Sequence, residues 1–425
     1  MWTRRLFLKT GGIALFTCGV GPRFLTRAAA AANPATTAAG TNAHRKVLVT
    51  IFQRGAMDGL MAVPTLDDSA LRSVRPRLAM TAARSGGDEA ALDLGVGFGL
   101  HPGFSPLLPY WKENRLAIVH AVGSPDPTRS HFDAQDYMET GTPGRKGTPS
   151  GWLNRAVGLL GHDASPFRAV AMTPAMPRSL YGDQPAIAVT DLADFRVRLP
   201  GAQKVAAAAG QGFEALYQQT SQSLLRDTAK ETFQAMDMLK PEQIAAYRPA
   251  NGAEYPQSPL GHALRQIALL IKADVGLEIA FAESGGWDTH VQQGTVNGTF
   301  ARQAKDLAGS IQAFWTDLGP AYQDDVLLTT MTEFGRTVRE NGSGGTDHGH
   351  GSCLFVLGNR VQGGKVHGTF PKGLDSAALY EGRDLPVTTD FRAVFCELAG
   401  KHLGIKDDGQ LFPGWTGGRL PVLRG

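Results

Sequence analysis

The chain alternates between short, continuous apolar runs and longer stretches in which apolar residues recur every three or four positions. Val47 to Phe52 is the first run, and it stops at Gln53, Arg54 and Gly55. A run that is apolar at consecutive rather than alternate positions predicts a strand buried on both faces. Leu116 to Val122, Arg168 to Met172, Ala186 to Thr190, Leu277 to Ala282, Val326 to Met331 and Cys353 to Leu357 predict further strands. Helical spacing lies between them. Gly103 to Glu113 is one candidate; Leu264, Ile267, Ala268 and Ile271 share a helix face, as do Phe300, Ala304, Leu307, Ile311, Phe314 and Leu318. Strands alternating with helices of this length predict an α/β fold, a mostly parallel central sheet flanked by helices on both faces. Residues 201–258 are rich in Ala and Gln and poor in strand runs, so they predict a helical insertion or cap.

The first 32 residues follow another pattern. "TRRLFLK" sets Arg4 and Arg5 ahead of a short apolar run from Ile13 to Val20, and "TRAAAAA" supplies small residues for cleavage. This is the layout of a twin-arginine export signal. It implies passage through the twin-arginine machinery in the folded state and a periplasmic or secreted location. The run is too short for a membrane span and is broken by Gly19, Gly21 and Pro22. No other stretch approaches a span, so no stable membrane span is expected in the mature form. Residues 33–45, rich in Ala, Thr and Asn, read as a flexible leader, and 46–425 as a single domain.

Removing the signal changes the charge. It holds Arg4, Arg5, Lys9, Arg23 and Arg27 and no acidic residue, so 42 basic against 39 acidic residues become 37 against 39, and +3 becomes −2. Nothing then points to nucleic acid or an anionic membrane surface as a partner. The composition, 42% hydrophobic and 19% charged, is that of an ordinary globule. Cys18 leaves with the signal. Cys353 and Cys396 stand in apolar surroundings that suit buried thiols, and a disulfide between them stays open outside the cytoplasm.

In open α/β sheets, sites form beyond the carboxyl ends of the strands. The residues there are of one chemical kind. After Val47 to Phe52 comes "QRGAMDGL" with Asp58; after Leu116 to Val122 comes "GSPDPTRSHFDAQD" with Arg129, Ser130 and His131. "ESGGWDTH" brings Asp288 and His290, "TEFGR" brings Glu333, and "GGTDHGHG" brings Asp347, His348 and His350. Each alone has a plain explanation as a turn, a helix cap or a surface residue. Together, carboxylates and neutral imidazoles are ligands for zinc or manganese, one ion or two. A metal centre of this kind has a use for a hydroxyl, and Ser130, at an expected helix start, is the candidate nucleophile. Arg129 is a candidate fork for substrate oxygens, and His131 a candidate acid or ligand. A nucleotide cradle is not expected, because no GxxxxGK[ST] accompanies the glycines.

"RGAMDGL", "LHPGF", "RSHFDAQDYMETG", "GWLNRA", "GGWDTH" and "TEFGRTVRENGSGGTDHGHG", with the twin-arginine start, resemble the exported bacterial family DUF1501 from about Lys46 to Pro413. That family looks like a branch of the alkaline phosphatase superfamily, beside sulfatases, phosphodiesterases and cofactor-independent phosphoglycerate mutases. The resemblance implies an alkaline phosphatase-like fold and places the first-strand metal ligand at Asp58 and the nucleophile at Ser130. It gives Asp288 and His290 to the second metal, a later acidic ligand to Glu333, and a final histidine to His348 or His350. Three departures accompany it. Phe334 stands where the pattern has a histidine, Asp288 and His290 are unusually close, and "SPDPTR" misses the sulfatase signature by one position. The function implied is an exported hydrolase of phosphate or sulfate esters, carried on a small molecule or a polymer. The alternative, motivated by Phe334, is a non-catalytic periplasmic binding or assembly protein on a degenerate hydrolase scaffold.

Overall fold

The computed structural model describes residues 45–66, 68–80, 90–162, 165–194, 238–239 and 241–425. The expected signal, nearly all of the leader and residues 201–237 of the expected insertion lie outside the described residues.

Nine strands form one sheet: β1 (Val47–Gln53), β2 (Leu116–Gly123), β3 (Ala169–Ala171), β4 (Ile187–Ala188), β5 (Ile279–Ser284), β6 (Val326–Thr332), β7 (Ser352–Leu357), β8 (Val366–His367) and β9 (Thr389–Asp390). Their spatial order is β8-β2-β7-β6-β1-β5-β3-β4, with β9 also paired to β2. β1 sits at the centre, parallel to both neighbours, with Leu48 opposite Ile279 on one side and Leu327 on the other. The helices that matter here are α1 (Gly59–Ala62), α2 (His131–Thr140), α3 (Trp152–Leu159), α4 (Pro259–Lys272), α5 (Thr299–Leu318) and α6 (Phe391–Leu403).

The continuous apolar runs are explained by a core on each side of the sheet. Val47, Val49 and Ile51 point into one core with α4 and α5; Leu48 and Phe52 point into the other with α3 and α6. β2 divides the same way, Leu116 and Ile118 on the first side, Ala117 and Val119 on the second. A strand between two helical layers has no face left for polar residues. On the second side Trp152 stacks on Phe395 with ring centroids 4.8 Å apart. The expected class, a mostly parallel sheet with helices on both faces, is what forms.

Two elements differ from the simple pattern. β7 runs antiparallel to β2 and β6. Residues 333–351 therefore stay at the carboxyl edge of the sheet and turn straight back, because an antiparallel partner needs no crossover helix. The stretch from residue 103 to 113 forms a 3-10 helix, Pro102–Leu107, followed by a short α-helix, Leu108–Lys112. Pro102, Pro106 and Pro109 lack the amide protons a regular α ladder requires. Of the expected insertion, the described part contains helix Pro241–Ala246. Beyond it Tyr247, Tyr255 and the Ala250 amide converge on fully buried Asp317, which also pairs with Lys272. Cys353 lies in the core on one face of the sheet and Cys396 in the core on the other, so they are separate free thiols and the disulfide left open by the sequence does not form.

Two buried histidines outside the strand-end cluster make stability depend on pH. His120 bonds the Val63 carbonyl through Nε2 at 3.0 Å, and His402 bonds that of Val47 at 3.0 Å. Burial pushes both imidazoles down to about 4. In the unfolded chain the same groups titrate near 6.5, so the unfolded state takes up protons first as pH falls. Their contribution is complete above about pH 6.5 and is lost as pH falls towards 4, a change on the order of a few kcal/mol. Urea midpoints measured from about pH 7 to 4 should decline, and His402→Gln should flatten that decline.

Candidate metal centre

The carboxyl ends of β1, β2, β5 and β6 face the same side, and their loops carry the reactive residues. His131 is the first residue of α2, after β2; Asp288 and His290 follow β5; His348 lies in the loop between β6 and β7. One ligand atom each from His131, Asp288 and His348 lie within 4.8 Å of one another, a group that could hold a metal ion. His290 stands against it, its Nε2 3.1 Å from Asp288 Oδ1 and 2.9 Å from His348 Nε2. The other approaches to Asp288 are 3.4 Å from His348 Nε2 and 3.6 Å from His131 Nε2. Donors around a tetrahedral zinc-sized ion at ~2.0–2.1 Å stand ~3.3 Å from one another, so these separations are of the right size.

The opposite ring nitrogens decide how the imidazoles are presented. His131 Nδ1 meets Glu333 Oε1 at 2.8 Å, His290 Nδ1 meets Asp347 Oδ1 at 3.1 Å, and His348 Nδ1 meets the Arg129 carbonyl at 2.9 Å. A carbonyl or ionised carboxylate can only accept, so each Nδ1 carries a proton and donates it. In a neutral ring the Nε2 lone pair is then left free, and all three lone pairs turn towards Asp288. His131 Nε2 is buried with no hydrogen-bond partner. Lone pairs facing a carboxylate and one another repel unless a cation or protons stand between them.

The carboxylates are held ionised. Burial would raise Glu333, but hydrogen bonds from His131, Gln135 and the Gly55 amide outweigh it and hold it below the usual range. Burial would likewise raise Asp288, and the Arg336 guanidinium overrides it. Asp347 is lowered first by the hydrogen bond from Asn341. Of the rings, His131 is raised by its bond to Glu333, and His348 is lowered by burial.

Arg336 ties the loops together. It is buried, and its Nε donates to the Ala56 carbonyl at 2.8 Å and its Nη1 to that of Thr346 at 3.0 Å. Its Nη2 reaches the carbonyls of Gly55 at 2.6 Å and Trp287 at 3.1 Å, and Asp288 Oδ1 at 2.5 Å. The glycines let backbones come this close. A Cβ on Gly345 would stand 2.4 Å from the backbone of His290, and one on Gly349 2.4 Å from that of Arg336; neither position has room for alanine.

The remaining expected residues lie outside the His131, Asp288 and His348 group. Asp58 is outside the group: it is buried, caps α1, takes two hydrogen bonds from Arg75 at 2.8 and 3.1 Å, and accepts from Gln293 at 2.8 Å. With its oxygens committed to a buried guanidinium, it is a structural ion pair. His350 is buried against Tyr380 and bonds the Ser124 carbonyl at 3.0 Å, also apart from the group. Ser130 is exposed and caps α2, accepting from the Asp133 amide at 3.5 Å. Arg129 donates to Asp384 and Glu381. Glu333 and Asp347 touch the imidazoles at Nδ1, behind the group. Phe334 lies against both His131 and His348, its ring centroid 5.0 Å from each. It therefore lines the centre. Sequence reasoning missed Arg336, Gln135 and Asn341, for which the spacing of residues carries no signal beyond the motif letters themselves.

An α/β sheet with a histidine and carboxylate group at its carboxyl edge is the class the fold and site define. The family model described as "Protein of unknown function (DUF1501)" matches residues 111–414, and the chain belongs to that family. The match includes His131, Asp288, His290, Glu333, Arg336, Asp347 and His348, and begins after Asp58. A search of curated proteins finds no match.

Replacing Arg336 by Met should lower unfolding free energy by about 3–5 kcal/mol in denaturant titration, because four backbone carbonyls lose a buried donor. Arg336→Lys, a single ammonium with three donors, should recover only part of it.

Proposed function

We propose that the chain is an exported metal-dependent hydrolase of phosphate or sulfate esters, with one divalent ion held by His131, Asp288 and His348. The observation that carries the metal is the set of imidazoles whose Nδ1 atoms are fixed on oxygen acceptors and whose Nε2 atoms converge on one carboxylate. Charge supports it too. Asp288, Glu333 and Asp347 against Arg336 leave two negative charges, which a divalent cation balances. Imidazole and carboxylate donors suit zinc or manganese among other first-row metals.

A bound ion would polarise an ester oxygen and stabilise charge developing on the leaving group. The chain's own residues do the rest. Glu333 and the Arg129 carbonyl fix the rings of His131 and His348, and Asp347 fixes His290. Arg336 holds Asp288 ionised and in place. Phe334 covers one side of the rings and excludes water there. Ser130, at the start of α2, attacks phosphorus or sulfur, the ester bond breaks, and the serine proton ends on the departing alcohol; water then cleaves the serine ester. Export through the twin-arginine route carries folded protein, which suits a chain that takes up its metal before export.

A second reading is a binding or assembly protein with a structural ion. It is favoured by the engagement of Asp58 with Arg75 and by the capping role of Ser130, which leave the two-metal arrangement of the resembled superfamily unassembled.

Mass spectrometry of full-length exported protein should find about one ion per chain, lost in Asp288→Ala and in His348→Ala. Ser130→Ala should keep the ion and lose turnover across a panel of aryl phosphates and sulfates supplied with zinc or manganese. A metal-free wild type sinks the proposal, and a loaded but silent one favours the second reading. Because a ligand's orienting partner tunes its affinity, Glu333→Gln should weaken metal binding by about 10–100-fold, read by competition with a chelator.

A further inference from the structure

The proposed centre is electrically balanced once a divalent ion is bound, so an oxyanion substrate needs further positive charge beside it. Several arginines lie near the site, and three of them, Arg336, Arg75 and Arg54, are spent, the last on Glu139 and Glu283. Arg336 and Arg75 are buried, with their donors on backbone carbonyls, Asp288 and Asp58. Arg129 and Arg383 are different. Both stand against the same carboxylate, that of Asp384, which is fully buried: Arg129 donates to Oδ2 through Nε at 3.0 Å and Nη2 at 2.6 Å, and Arg383 Nε forms an ion pair with Oδ1 at 3.1 Å without hydrogen-bond alignment. Each is also joined to His348. The carbonyl of Arg129 fixes His348 Nδ1 at 2.9 Å, and Arg383 Nη2 donates to the His348 carbonyl. Both guanidiniums thus meet one buried anion at the edge of the metal centre, and that of Arg383 is held in addition by the His348 carbonyl.

Both keep solvent access, with side chains 28% and 41% exposed for Arg129 and Arg383. The remaining partner is Glu381. Its carboxylate is more than half exposed and lies 2.6 Å from Arg129 Nη2. A pair this open to water adds little stability, and it is made in a tight turn in which Tyr380 and Asp384 exchange backbone hydrogen bonds and Glu381 takes a φ of 52°. An exposed anion held on a braced arginine occupies the position that a substrate anion would take.

We propose that Arg129 and Arg383, braced on Asp384, form the clamp that binds the phosphoryl or sulfuryl oxygens of the substrate, and that the Glu381 carboxylate is a displaceable stand-in for those oxygens on Arg129. The proposal rests on the metal-dependent ester hydrolase reading and adds to it the residues that select a tetrahedral oxyanion. Guanidinium pairs suit such groups because their N–H donors match two oxygens at once. Glu381 also sets a threshold, since a ligand must outcompete it; neutral or singly charged esters do so less well than doubly charged ones.

The test is equilibrium binding of inorganic phosphate and of sulfate to the metal-loaded full chain, with metal content measured in the same samples. Glu381→Gln removes the competing charge on an exposed side chain and should tighten phosphate binding by about three- to tenfold. Arg383→Ala should weaken it by about tenfold or more, as expected for loss of a charge-assisted hydrogen bond, with metal content unchanged. If Glu381→Gln binds phosphate as the wild type does, or the wild type binds neither anion, the clamp is overturned. Should Arg383→Ala fail to fold, Glu381→Gln alone decides. A metal-free wild type that still binds phosphate with this dependence on Glu381 would sink the metal reading and leave the clamp standing.

Discussion

The arrangement of the site depends on one buried guanidinium. Arg336 meets the loop after β1 at Gly55 and Ala56, the loop after β5 at Trp287 and Asp288, and the glycine-rich loop at Thr346. Taking a guanidinium out of water costs several kcal/mol unless its donors are met. Here they are met by four carbonyls and a carboxylate, each fixed by its own loop. The cost of leaving any of them unmade holds three loops in one register. That register brings Asp288 within reach of imidazoles that start from other strands. The same cation keeps Asp288 ionised, so one interaction sets both the position and the charge of the carboxylate at the centre.

A second layer of oxygens completes the geometry. Glu333, Asp347 and the Arg129 carbonyl accept from the Nδ1 atoms, and by doing so choose the tautomer of each ring. Orienting partners behind metal-binding histidines commonly matter as much as the ligands themselves. The carboxylates that the sequence marks as ligands, Glu333 and Asp347, thus stand behind the rings, and His131, open in the sequence as acid or ligand, stands among the converging nitrogens. Phe334 belongs to the same design. A ring against His131 and His348 restricts their motion and dries one side of the group, which strengthens every electrostatic interaction there.

The edge near Asp384 extends this logic outward. A fully buried carboxylate between Arg129 and Arg383 is tolerable only because both cations are in place. Through Arg129 it also bears on His348. Substrate recognition and metal geometry would then lie side by side on one buried anion.

By itself the sequence determined seven of the nine strands of the sheet, the two long helices α4 and α5, the layered α/β class and the loops that carry the histidines and carboxylates. Those signals are local: Val47 to Phe52 are apolar almost throughout because both faces are covered, and Asp288, His290 and His348 stand in loops that begin at the carboxyl ends of strands. The tertiary structure alone decided the roles. Asp58 is as prominent in sequence as Asp288, yet a buried Arg75 takes its oxygens. Cys353 and Cys396 both read as buried, but the sheet separates them. The direction of β7 depends on how its strand pairs, and the choice between ligand and orienting partner depends on which ring nitrogen an oxygen reaches. These are distances between residues far apart in the chain, and residue spacing does not encode them.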